Sequence, residues 1–113
     1  MIKVEWTIEE MVAIVDIYFR SKLSDCCELK DELLDLSKRL NKRADILDIG
    51  HDEKYRNYNG MKKMFENIRY IDSNGENGLS GSSTLMREVI DLYHSNKYVF
   101  EQILKDFNAK YQI

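Results

Sequence analysis

Seven side chains in the middle of this 113-residue chain could together hold a polyanion. Arg56, Asn59, Lys62, Lys63 and Arg69 fall along a stretch from Tyr55 to Ile71 whose apolar residues recur at helical spacing, and Lys42 and Arg43 precede it. Lysine and arginine give phosphate oxygens charge-assisted donors, and an asparagine early in a helix can offer a base edge both a donor and an acceptor. Asn59 is the one amide placed to do so. The expectation is therefore DNA contact through Lys42, Arg43, Arg56, Asn59, Lys62, Lys63 and Arg69. The competing reading is that these are the ordinary solvent-facing charges of amphipathic helices.

Catalytic chemistry finds little support. Only His51 and His94 are present. Asp52-Glu53-Lys54 sets two carboxylates beside a lysine, as some metal-dependent nucleases do, but without strands and a separated acidic partner it reads as a turn. Gly75 to Gly81 lacks the lysine and the strand-to-helix setting of a phosphate-cradling loop. Cys26 and Cys27 are adjacent, which strains a disulfide and matches no zinc spacing, so they read as reduced thiols with Cys27 the better candidate for burial. No enzyme activity, metal or cofactor is expected.

The elements that must position the basic residues are helices. Thr7 is placed as an N-cap with Glu10 three residues on, and Trp6 and Met11 occupy the flanking apolar positions. Ile8, Met11, Val12, Val15, Tyr18, Phe19 and Leu23 then predict a helix with one apolar stripe, opposite Glu9, Glu10, Asp16 and Arg20. A second helix spans 24–44 on Leu29, Leu33, Leu36 and Leu40, acidic at its start and basic at its end, as the helix dipole favours. Asn57 or Asn59 can cap a third, carried by Met61, Met64, Phe65, Ile68 and Ile71. A glycine- and serine-rich loop covers 72–83, with Leu79 expected to anchor it in the core. A fourth helix uses Leu85, Met86, Val89, Ile90 and Leu92 and breaks near His94-Ser95-Asn96. Asn96 caps a fifth, whose stripe is Tyr98 or Val99, then Phe100, Ile103, Leu104, Phe107 and Tyr111. The absence of proline suits this arrangement.

The net charge of −3 conceals a division: −5 over residues 1–36, +4 over 37–70 and −2 over 71–113. The acidic part supplies a second function class. Glu9, Asp16, Glu28 and Asp35 could imitate backbone phosphates and occupy the basic channel of a nuclease, as a small phage inhibitor of the anti-CRISPR type would. A third expectation is a homodimer through Met61, Met64 or the tyrosines Tyr93, Tyr98 and Tyr111. Tyr55 and Tyr58, flanking Arg56, could stack on bases or pack inward.

Several short blocks carry a family likeness. Trp6-Thr7-x-Glu9-Glu10 with Val15-Asp16-x-Tyr18-Phe19, Leu36-x-x-Arg39-Leu40-Asn41-x-Arg43, Tyr55-Arg56-Asn57-x-Asn59-Gly60-Met61, Asn67-Ile68-x-Tyr70-Ile71 and Gly78-Leu79-Ser80 together resemble the N-terminal module found ahead of the nuclease domain in bacterial HNH endonucleases and related restriction proteins. The first three also resemble a Myb-like three-helix pattern. The likeness implies a DNA-related role without the nuclease itself.

The resulting expectation is an all-α chain: one domain over 1–113, with a three-helix Myb-like or helix-turn-helix core at 1–71, the loop at 72–83 and one or two further helices at 84–113. No apolar run approaches the roughly 18 residues of a membrane span, and no signal-peptide pattern opens the chain, so a cytoplasmic protein is expected. Its partner would be DNA, or a nuclease or CRISPR effector.

Overall fold

A computed structural model describes residues 6–23, 29–50, 55–76, 78 and 84–111. Cys26, Cys27, Glu28, His51 and Leu79 lie outside them, and with them the expectations attached to those residues. The described residues form five α-helices and no strand: α1 (Ile8–Leu23), α2 (Leu29–Ile46), α3 (Tyr58–Asp72), α4 (Thr84–Ser95) and α5 (Lys97–Lys110). Among the described residues no helix is long and apolar enough to cross a membrane.

The first helix starts as its sequence requires. The Glu10 carboxylate reaches back to accept from the Thr7 backbone N–H at 3.0 Å, which occupies a donor that the first helical turn leaves open. From there α1 departs from the one-stripe expectation. Met11, Val12, Ala13, Ile14, Val15, Ile17, Tyr18 and Phe19 are all buried, so the helix is enclosed around nearly its whole circumference. A helix apolar all round belongs at the centre of a bundle, and α1 packs against each of the other four. Ile8, by contrast, is half exposed.

The other helices each turn a single face to α1: Leu33, Leu36, Leu40 and Ala44 from α2, Met61, Phe65 and Ile68 from α3, Met86, Val89 and Ile90 from α4, and Phe100 and Phe107 from α5. Each of these side chains larger than alanine contributes roughly 1.5–3 kcal/mol of transfer free energy. On α5 the stripe begins at Phe100, because Tyr98 (73% exposed) and Val99 point to solvent. Side-chain contacts fix the directions. Glu9 meets Arg43 and Arg20 meets Glu32, so α1 and α2 are antiparallel. Phe19 stacks on Tyr93 at 3.9 Å, which brings the C-terminal ends of α1 and α4 together. The last two helices are therefore part of the same core as the first three rather than an extension of it.

Two connections determine what α3 can present. Residues 47–57 separate α2 from α3, against the three or four residues of a helix-turn-helix turn. The end of this connection is tied to α2: Asn41 Nδ2 donates to the Tyr55 carbonyl at 3.0 Å, and the Ser37 hydroxyl donates to the Arg56 carbonyl. After α3 the chain folds back along it. Gly78 lies against the backbone of the helix, where a Cβ would stand 2.3 Å from the Glu66 carbonyl oxygen and 2.8 Å from the Tyr70 nitrogen. With φ at +86° as well, this position has room and backbone conformation for glycine alone.

Candidate nucleic-acid interface

Two of the seven expected contact residues face inward. Arg43 and Arg56 keep only 8% of their side-chain surface, and both converge on Glu10, which is fully buried. Arg56 Nε donates to Glu10 Oε2 at 3.0 Å, Arg43 Nη1 lies 3.7 Å from Oε1, and Arg43 Nε donates to Glu9. Thr7 completes the shell with its N–H and hydroxyl, at 3.0 and 3.1 Å from Oε1. A buried carboxylate is strongly unfavourable unless paired and hydrogen-bonded, and here both conditions are met. Burial alone would loosen the Arg43 proton, but the hydrogen bond to Glu9 and the charge of Glu10 outweigh it and hold that proton more firmly than in water.

Arg56 is clamped from both sides. Its guanidinium lies 4.5 Å from the Trp6 ring centroid and 4.6 Å from that of Tyr55. Its backbone adopts a left-handed φ of +47°, which costs about 1–2 kcal/mol in a residue with a Cβ and is sustained by these contacts. Tyr55 is thus an internal stacking partner rather than a base platform. Its hydroxyl is pushed up from its ordinary value by burial and then by the Glu10 carboxylate. The expectation that Arg43 and Arg56 meet DNA fails for one reason: the two carboxylates that neutralise them are far away in sequence and adjacent in the fold.

The block around Arg56 is otherwise mostly structural. Asn57, not Asn59, caps α3, its side-chain oxygen accepting from the Gly60 N–H at 2.9 Å. Gly60 fits beneath that cap, where a Cβ would stand 3.2 Å from Asn57 Oδ1. Met61 is fully buried, which also removes it as a dimer contact; Tyr111 is buried too. Asn59 is exposed and has no side-chain partner among the described residues.

Exposed cations remain. Lys62 and Lys63 stand in solvent on the first half of α3 and have no ion-pair partner among the described residues. Arg69 is 46% exposed and meets Glu66 at 3.4 Å. Beyond it, the fold-back at Gly78 covers the outer side of the helix near Glu66 and Tyr70. The open ridge is therefore Asn59, Lys62 and Lys63, in the first two turns of a helix with no acidic residue in its first turn. The positive end of the helix dipole adds to the two ammonium charges there. Lys42 is exposed on α2.

The far end of α3 is held to α1 by Asp72. Its Oδ2 accepts from Tyr18 Oη and from Lys22 Nζ, both at 2.7 Å, and His94 Nε2 lies 3.9 Å from Oδ1. Burial acts to raise the Asp72 carboxyl, but the two hydrogen bonds and the Lys22 charge outweigh it and hold it below its ordinary value. The Tyr18 hydroxyl is pushed well up, first by burial and then by that bond.

The acidic surface is less free than its sequence implies. Glu9 binds Arg43, and Asp16 accepts from Arg20 Nε at 2.8 Å. Asp35 is mostly exposed, with Arg39 at 3.8 Å. Asp16 is pushed up by burial, partly offset by its bond to Arg20. Among the described residues no group of three or more His, Cys, Asp or Glu side chains could hold a metal ion. No protein-family model matches the chain, and no curated protein or solved structure is significantly similar to it.

Proposed function

We propose that this chain is a non-catalytic DNA-associated module that meets the phosphate backbone through the first two turns of α3. The observation that carries the reading is the exposed set Asn59, Lys62 and Lys63, which has no intramolecular partner among the described residues. Lysines held this way keep their charge available to phosphates, whereas Arg43 and Arg56 have spent theirs on Glu9 and Glu10. The likeness to the module ahead of HNH nucleases points the same way. In this reading Asn59, early in α3, is placed to touch a base edge, with Lys42 of α2 flanking. The long link before α3 and the packing of α1 against all four other helices set this bundle apart from a three-helix pattern.

The test is an electrophoretic shift at low salt with Lys62→Glu/Lys63→Glu. About two to four phosphate contacts give a log K against log salt slope of roughly −2 to −4, and the double reversal should flatten it. No complex even at low salt sinks the proposal. The protein-inhibitor alternative would bind a nuclease through Glu9, Asp16, Glu28 and Asp35, but its first two carboxylates are already engaged by Arg43 and Arg20.

A further inference from the structure

We infer that the cleft between the C-terminal halves of α1 and α3 takes an unpaired nucleotide, so that the preferred ligand is single-stranded nucleic acid; this rests on the reading of α3 above. The cleft is open, has a volume of about 410 Å³, and is lined by the edges of the buried Tyr18 and Phe65 together with Ser21 and Asp72. That is room enough for a nucleobase. Lys22 and Arg69 line the same cleft, and each is about half exposed.

The same side of α3 continues away from the cleft. Positions 58, 62, 65 and 69 recur at three and four residues, so Tyr58, Lys62, Phe65 and Arg69 share one face. At its far end Lys30 of α2 lies over the partly exposed Tyr58 ring, 5.8 Å from its centroid. Lys30, Lys62 and the free nitrogens of Arg69 thus border one track that contains an accessible ring and ends in a cleft, where Lys22 is already paired with Asp72. Proteins hold unpaired strands in this way, with cations along the backbone and ring faces or pockets for the bases. A base still paired in a duplex cannot enter such a cleft. The Asp72 carboxylate does not oppose this, because Lys22 neutralises it through Oδ2. Arg69 engages Glu66 through Nη1 only, and its other nitrogens have no partner among the described residues.

The experiment is fluorescence anisotropy at low salt with a labelled deoxythymidylate strand of about a dozen nucleotides and a duplex of equal length. The expected result is single-strand binding roughly tenfold tighter than duplex binding. Ser21→Trp, which fills the cleft, and Arg69→Glu, which reverses its mouth, should each bring the ratio towards one. Arg69 is on the surface, so this variant keeps the test decisive if the tryptophan impairs folding. Equal affinities in the unmodified protein, or a preference that survives Arg69→Glu, overturn the inference while leaving the Lys62 and Lys63 ridge standing. Binding of neither probe overturns both.

Discussion

Arg56 Nε stands 3.0 Å from Oε2 of Glu10, a fully buried carboxylate that precedes it by 46 residues, with the whole of α2 between them. This one pair joins the start of α1 to the entrance of α3 and orients the helix that carries the exposed lysines. Removing Glu10 leaves two guanidinium groups inside the protein without their shared partner. Glu10→Ala should therefore destabilise by about 3–5 kcal/mol, read by urea denaturation. Replacing both Glu10 and Arg56 by leucine should cost less than the sum of the single changes, since Arg56 is then gone and Arg43 keeps Glu9 as its partner. Additive single losses would mean the pair is not coupled.

The two kinds of cation separate in their effects. Lys62→Glu/Lys63→Glu should leave the unfolding free energy from urea denaturation within about 0.5 kcal/mol of the parent and abolish most nucleic-acid binding. Arg43→Met should do the reverse, lowering stability by a few kcal/mol because Glu9 and Glu10 lose a partner, with the salt dependence of binding unchanged in the folded fraction. Loss of salt dependence in folded Arg43→Met would return Arg43 to the binding surface.

Asp72 sets the behaviour in acid. A carboxyl held below the ordinary 3.8 takes up protons less readily folded than unfolded. Its stabilisation is complete above 3.8 and disappears as pH falls through the lower folded value. Asp72→Asn should cost about 1–3 kcal/mol at neutral pH, and the difference from the parent should close well below 3.8. Thermal melts across this range provide the check. Asp16 has the opposite sign: raised above 3.8 by burial, its ionisation disfavours folding as pH climbs through the window just above that value. Asp16→Asn should accordingly be neutral or mildly stabilising at neutral pH, despite the bond to Arg20 that it weakens.

Gly78 keeps the returning chain against α3. Alanine there would meet the Glu66 carbonyl at 2.3 Å and would need a left-handed backbone, so Gly78→Ala should detach the segment at a cost of about 1–3 kcal/mol. Hydrogen exchange should then quicken at the amides of the last α3 turns, while α1 stays protected. Unchanged exchange in that stretch would mean the contact adds nothing to local stability.

What the chain determined unaided is local. Apolar spacing predicts three helices and one or two more after the loop, the Thr7 and Glu10 pairing marks the start of α1, Asn96 caps α5, and the lack of alternating runs argues against strands, none of which occurs among the described residues. These depend on neighbours within a few residues, where periodicity and capping act. The fold alone decided which charges are free. Glu10 on its helix and Arg56 just ahead of α3 each look solvent-facing, because a local pattern measures one segment against average surroundings. Only when α1 became the centre of the bundle did its polar edge acquire neighbours and its carboxylates draw two arginines inward. Gly78 folding back over α3 narrowed the open ridge further. A charge is available for binding when no opposite charge lies within hydrogen-bonding reach, and that distance is a property of the assembled helices rather than of their order along the chain.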